Sequence, residues 1–184
     1  MSIIWDSMHE ETVHDDIDVD DHDNPMMVTE YINDIFDHLF RLEALQCTPD
    51  PVTLTPILIR ISVDWIVIVH ESGSARPETL FATIYMIYHL LRSPMTITRE
   101  NIQLVSITSL FTAAKLHEKE KCHIELNDIL YVCDKVFSRD EVLDAEEAIL
   151  DTLDFSINYV TPYDFHYRFN KASKNDPKTS MLSL

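Results

Sequence analysis

The chain has 184 residues, 46% hydrophobic and 25% charged, which suits one globular domain with a tail and leaves little room for two. A single glycine disfavours folds built on repeated positive-φ turns and excludes every Gly-rich phosphate loop, so the composition points to helices. A net charge of −18 argues against binding to the phosphate backbone of a nucleic acid and against an anionic membrane surface.

Residues 1–24 are dominated by Asp, Glu and His, and residues 1–40 hold no Lys or Arg, the composition of a self-repelling, flexible acidic tail. Its apolar start, Ile3-Ile4-Trp5, reads as a loose terminus without the basic n-region of a secretory signal. From Pro25 the pattern turns helical. Val28, Tyr31, Ile32, Ile35, Phe36, Leu39, Leu42 and Leu45 recur at three- and four-residue intervals, predicting an amphipathic leading helix that Thr48-Pro49-Asp50-Pro51 ends. Thr55-Pro56 supplies a cap and an N1 proline for a second helix, which runs to about Glu71 before Gly73. A third starts at Ala75-Arg76-Pro77-Glu78 and runs to about Arg92.

The fourth, from near Thr98 through Ala114, is apolar or small all the way round, with Ser106, Ser109, Ala113 and Ala114 permitting close approach. Such a helix is expected at the hub of a bundle. A fifth spans roughly Glu125 to Lys135. Ser138-Arg139-Asp140-Glu141 is a capping box for a sixth ending near Leu153, and Thr161-Pro162 opens a short last helix through Phe169. The expected architecture is all-α: a leading helix over 25–50 with its linker, a five-helix bundle around a buried helix over 51–158, and a short helix and tail over 159–184.

Little enzymatic chemistry is visible. Gly-x-Ser-x-Gly, His-Glu-x-x-His and Cys-x-x-Cys are all missing. His117, Cys122, His123 and Cys133 match no common zinc spacing, and the acidic tail lacks the EF-hand pattern, so neither a metal nor any other cofactor is expected. Three cysteines without paired spacing (Cys47, Cys122 and Cys133) suggest reduced thiols and an intracellular protein. The longest apolar stretch, Ile57 to Val69, is broken by Arg60 and Asp64 and is too short to span a bilayer.

Two charges stand where the pattern asks for apolar groups. Lys115 lies one turn after Phe111, and Glu146 falls on the stripe of Leu143, Leu150 and Leu153. A charge on an apolar face is costly unless it is paired, offered to a partner, or snorkelling to water at the bundle's edge. Pattern alone leaves these readings open.

Several segments resemble one family, the mitotic (A/B-type) cyclins. Ser62-Val63-Asp64-Trp65-Ile66-Val67-Ile68-Val69 is similar to that family's Leu-Val-Asp-Trp-Leu-Val-x-Val helix, Glu78-Thr79-Leu80 to its Glu-Thr-Leu, and Gln103-Leu104-Val105 to its Leu-Gln-Leu-Val. Ala113-Ala114-Lys115-Leu116-His117-Glu118 resembles Ala-Ser-Lys-x-Glu-Glu, while Glu146 with Ile149 to Phe155 resembles Glu-x-x-Ile-Leu-x-x-Leu-x-Phe. Asn24-Pro25, Val28, Glu30-Tyr31 and Asp34-Ile35 are similar to its leading helix, so the likeness is collinear over about 24–170.

The resemblance implies a cyclin-box fold and a non-catalytic subunit that activates a cyclin-dependent protein kinase in cell-cycle control, in the nucleus or cytoplasm. It implies that Lys115 and Glu146 grip the kinase, with Thr112, Leu116, Leu150 and Phe155 as the apolar surround. It further implies a second surface for short substrate motifs at Leu58, Ile61, Trp65, Ile68, Ile102 and Gln103. Ile68 replaces the family's carboxylate there, which sets basic-motif recognition aside. Ile59 and Tyr88 align with a buried Arg–Asp pair, and losing both ends leaves no orphan charge. An Arg-x-x-Leu destruction signal is not visible, and the family's second five-helix repeat is not expected within these residues. The alternative reading is a cyclin-fold adaptor or decoy that does not activate a kinase, such as a transcription-type cyclin or a scaffold like transcription factor IIB, although a DNA-binding relative of that kind would carry basic charge.

Overall fold

The computed structural model describes residues 17–46, 54–118 and 124–173. The described residues are helical with no strand, and the helices are α1 (Ile32–Gln46), α2 (Pro56–Ser72), α3 (Pro77–Leu90), α4 (Ile102–His117), α5 (Leu126–Val132), α6 (Arg139–Thr152) and α7 (Pro162–Ala172). The segments holding Ile3-Ile4-Trp5, Cys47 to Pro51, Cys122-His123 and the polar C-terminal stretch lie outside the described residues.

Helix α4 is the hub, packed by α2, α3, α5 and α6. Ile102 and every residue from Val105 to Ala114 are buried. Small side chains make that enclosure possible, because Ser106, Ser109, Ala113 and Ala114 let neighbouring backbones close in. Where α2 crosses α4, the Ser62 and Ser106 hydroxyls meet at 2.6 Å, so each buried group keeps a partner. Ile66, Met86, Ile87, Leu90, Ile107, Leu110, Ile129, Val142 and Ile149 complete one continuous core. Gly73 is required by space, since a Cβ there would sit 2.8 Å from Ile124 Cγ1.

Local chemistry sets the helix starts. Pro56, Pro77 and Pro162 each occupy a first helical turn. The expected Ser138 capping box forms, with Glu141 N–H donating to Ser138 Oγ at 3.2 Å and Ser138 N–H to Glu141 Oε2 at 2.7 Å. Helix α4 begins at Ile102, later than expected, because Asn101 Oδ1 accepts from Thr98 N–H at 2.7 Å and holds the preceding residues in a turn. Helix α5 stops at Val132, ahead of Asp134 and Lys135 in the left-handed region at φ 53° and 56°. Helix α7 runs past Phe169 to Ala172.

The leading segment departs most from expectation. Three 3-10 turns (Val19–Asp21, Pro25–Met27 and Thr29–Tyr31) precede α1, and Val28 sits between two of them at φ 51°. The apolar stripe is only half covered. Ile32, Phe36, Leu39 and Leu42 are half-buried, whereas Val28, Tyr31, Ile35 and Leu45 stand exposed, because α1 lies against α7 and not against the bundle's core. Phe40 stacks on Phe165 with centroids 5.0 Å apart, and Phe36 lies 6.0 Å from the same ring.

An ion cluster fastens the two ends of this domain together, and it corrects the expectation of a free acidic tail up to residue 24. Asp18, only 6% exposed, accepts from Arg168 Nη1 at 2.5 Å and from Lys171 Nζ at 2.6 Å, and Lys171 also pairs with Asp21. The tail's acids are therefore drawn to the two cations that α7 presents.

The Arg168 hydrogen bond, joined by Lys171, holds the Asp18 carboxyl below the usual aspartate range despite burial. A carboxyl lowered in the folded state contributes stability that is fully present above its unfolded pKa of about 4 and disappears as pH falls through the folded value. Urea titrations of the wild type and Asp18→Asn will therefore show a stability gap at pH 6 that narrows as the pH falls below the ordinary aspartate range of about 4. A gap unchanged by pH would contradict this role.

A candidate partner-docking site

Helix α4 leaves the core at its C-terminal turn, where Lys115 and Leu116 become exposed immediately after the buried Ala113 and Ala114. That turn is held from outside. Glu118 Oε1 accepts from Arg76 N–H at 2.7 Å and from Thr79 Oγ1 at 2.5 Å, and Arg76 Nη1 donates to the His117 carbonyl at 3.3 Å. The Arg76 N–H precedes the hydrogen-bond ladder of α3, so a carboxylate from the end of α4 accepts it along with the Thr79 hydroxyl and pins the two helix ends together. Glu118 was legible as part of a motif, but this fastening needs spatial neighbours that periodicity does not reveal.

Helix α6 packs along α4 and brings Glu146 to Lys115, where the two side chains form an ion pair. Thr112 Oγ1 lies 3.0 Å from Glu146 Oε1 and 3.0 Å from the Thr108 carbonyl, so its one proton serves one acceptor at a time. The Lys115 ammonium also stands 4.3 Å from the centroid of the Phe111 ring, a cation–π contact. Glu146 is only 8% exposed, while half of the Lys115 side chain meets solvent. The expectation that both charges lie near the surface is thus corrected for Glu146, whose carboxylate sits beneath the lysine. It can remain there because Lys115 and Thr112 together replace lost water contacts.

An apolar fringe surrounds the pair. Leu116 and Leu143 are exposed, Leu150 is half-buried, and Phe155 is 65% exposed. Phe155 follows Asp154 in the left-handed region, at φ 54° and 49°, and its N–H bonds back to the Leu150 carbonyl at 2.9 Å. A bulky side chain in that conformation is strained by about 1–2 kcal/mol, and no core contact rewards it. All six residues expected to grip a partner (Thr112, Lys115, Leu116, Glu146, Leu150 and Phe155) thus come from the end of α4 and from α6 with its C-terminal turn.

The second expected surface is more uneven. Ile61 and Ile68 are exposed on α2, joined by Ile57, and Gln103 is exposed at the start of α4. Leu58 and Trp65 are half-buried, Trp65 packing against the core, and Ile102 is 7% exposed and belongs to the core itself. Ile59 is buried and Tyr88 exposed, with no charge at either. Arg60 pairs with exposed Asp64 at 3.6 Å, and His89 stacks on Tyr159 at 4.4 Å. Cys133 is buried, which pushes its thiol pKa up.

Residues 34–158 match the family model described as "Cyclin, N-terminal domain". The chain belongs to the cyclin family. It is 35% identical to Cyclin-B2-4 of Arabidopsis thaliana over 174 residues, covering 92% of this chain and 40% of that relative. It is 36% identical to the G2/mitotic-specific cyclin-B of Emericella nidulans over 173 residues, covering 91% and 35% respectively. Among solved structures, a viral cyclin from herpesvirus saimiri superposes with a TM-score of 0.64 at 16% identity, over 78% of this chain and 62% of that one, which supports the cyclin fold. This cyclin therefore spans about two fifths of the length of such B-type relatives. No helix among its described residues is long and apolar enough to cross a membrane.

Proposed function

We propose that this cyclin is a regulatory subunit in cell-cycle control that binds and activates a cyclin-dependent protein serine/threonine kinase through the α4–α6 edge, supplying no catalytic group itself. The observation that carries the reading is the Lys115–Glu146 pair at the rim of an exposed apolar fringe. Lys115, Glu146 and Thr112 hold polar groups of the kinase, while Leu116, Leu150 and Phe155 bury apolar surface around them. Docking there pushes the kinase's C helix inward, completing its Lys–Glu pair and helping the activation loop to order.

The strained exposure of Phe155 supports the same site, since an aromatic anchor held ready for a pocket is a common hot spot. On α2, Ile61 and Ile68 with Leu58, Trp65 and Gln103 form a surface for short substrate segments, with Ile102 supporting it from beneath. Because Ile68 carries no charge, that surface favours apolar over basic residues.

Hydrogen exchange on the chain with and without a monomeric cell-cycle kinase tests the docking face. Protection is expected at residues 111–117 and 143–155. Protection confined to other helices, or none at saturating kinase, would overturn the assignment.

A further inference from the structure

Lys115 and Leu116 stand in the last turn of α4, both exposed, beyond the point where Ala114 still touches the core. Last turns open readily in water, because their carbonyls have run out of intrahelical donors. A partner that needs the turn closed binds more weakly in proportion to the time the turn spends open. The turn's closing bond runs from the Glu118 N–H to the Ala114 carbonyl at 2.8 Å.

Glu118 is also where the rest of the fold takes hold of this turn. Its Oε1 receives the Arg76 N–H at 2.7 Å and the Thr79 hydroxyl at 2.5 Å, while Arg76 Nη1 donates to the His117 carbonyl at 3.3 Å. Arg76 is itself fixed from two sides, since its guanidinium pairs with Glu78 and its carbonyl accepts from Nε2 of the buried His70 on α2 at 2.9 Å. Opening the last turn of α4 therefore breaks contacts to α3, through a residue that α2 also holds.

We infer that Glu118 is a positioning residue for partner docking, clamping the end of α4 to the start of α3 so that Lys115 and Leu116 meet the kinase in fixed helical geometry. The inference rests on the proposed docking of a kinase at the α4–α6 edge. Thr79 gives it a clean probe, because its side chain is 0% exposed and reaches no partner, so any effect of Thr79 on kinase binding passes through Glu118.

The test compares hydrogen exchange of the free full-length chain with calorimetric titration of a monomeric cell-cycle kinase, well below the melting temperature. In Glu118→Ala and Thr79→Val, amides 115–118 are expected to exchange at least about tenfold faster while amides 107–112 stay protected. Kinase Kd is expected to rise about tenfold in Glu118→Ala and to stay within about threefold of the wild type in Glu118→Gln, which keeps an acceptor for both donors. In a Lys115→Ala background the further loss from Glu118→Ala shrinks to less than about threefold, because the group being positioned is gone. Unchanged exchange at 115–118, faster exchange along the whole of α4, or the same fold-loss in both backgrounds would overturn the inference while leaving the docking edge in place. Kinase binding that ignores Lys115→Ala would instead overturn the docking reading, and the positioning role with it.

Discussion

Phe155→Gly will make the chain more heat-stable and a worse kinase ligand. The two effects have opposite signs because the side chain does different things in the two states. In the free chain Phe155 is exposed at φ 54°, and glycine relieves a left-handed strain of about 1–2 kcal/mol while costing some of it back in unfolded-state entropy. A net gain of up to about 1 kcal/mol, or roughly 2–4 °C in Tm, is expected by circular dichroism. In the complex the lost aromatic anchor is worth about 2 kcal/mol or more, so calorimetric titration should show Kd rising at least ~30-fold. A variant that melts lower and binds equally well would show that the exposed ring serves the fold and not a partner.

The second large effect concerns the ion pair. Lys115→Ala leaves a carboxylate that is 8% exposed with only Thr112 near it, and Glu146→Ala deletes a buried group while Lys115 turns to solvent. Each is expected to lower stability by about 1–3 kcal/mol, short of unfolding the domain, because Leu110, Ile107 and Ile149 still fill the core. Glu146→Gln keeps the size and an acceptor for Thr112, and should stay within about 1 kcal/mol of the wild type. Kinase affinity is expected to fall about 30-fold or more in Lys115→Ala and clearly in Glu146→Gln, so binding and stability separate. Equal loss of both in proportion would mark the pair as a structural link between α4 and α6 and nothing more.

Much of the bundle was legible in the residues. The hub could be read because α4 has no charged face for over three turns, and only enclosure by other helices satisfies such a surface. The starts of α2, α3, α6 and α7 could be read from prolines and capping boxes, which act locally. Periodicity failed on α1 for a physical reason. A three- and four-residue stripe says which face is apolar but not whether anything covers it, and here Tyr31, Ile35 and Leu45 meet solvent.

Depth was the other hidden quantity. The spacing of Glu146 from Leu143 and Leu150 put it on the right side of α6, yet its burial depends on Lys115 and Thr112 arriving from another helix. The same holds for Asp18, whose partners Arg168 and Lys171 lie some 150 residues away in sequence. The α5 end escaped notice because Asp134-Lys135 adopts a left-handed turn where glycine is usual, whereas α6 stops at Thr152, within one residue of the expected Leu153.

The most direct test of the central claim is the rate at which a monomeric cell-cycle kinase phosphorylates a peptide substrate as this cyclin is added. A saturable rise with the wild-type chain, lost with folded Lys115→Ala, is the predicted result. Binding of the wild-type chain without any rise, or an undiminished rise with Lys115→Ala, would contradict activation through the α4–α6 edge.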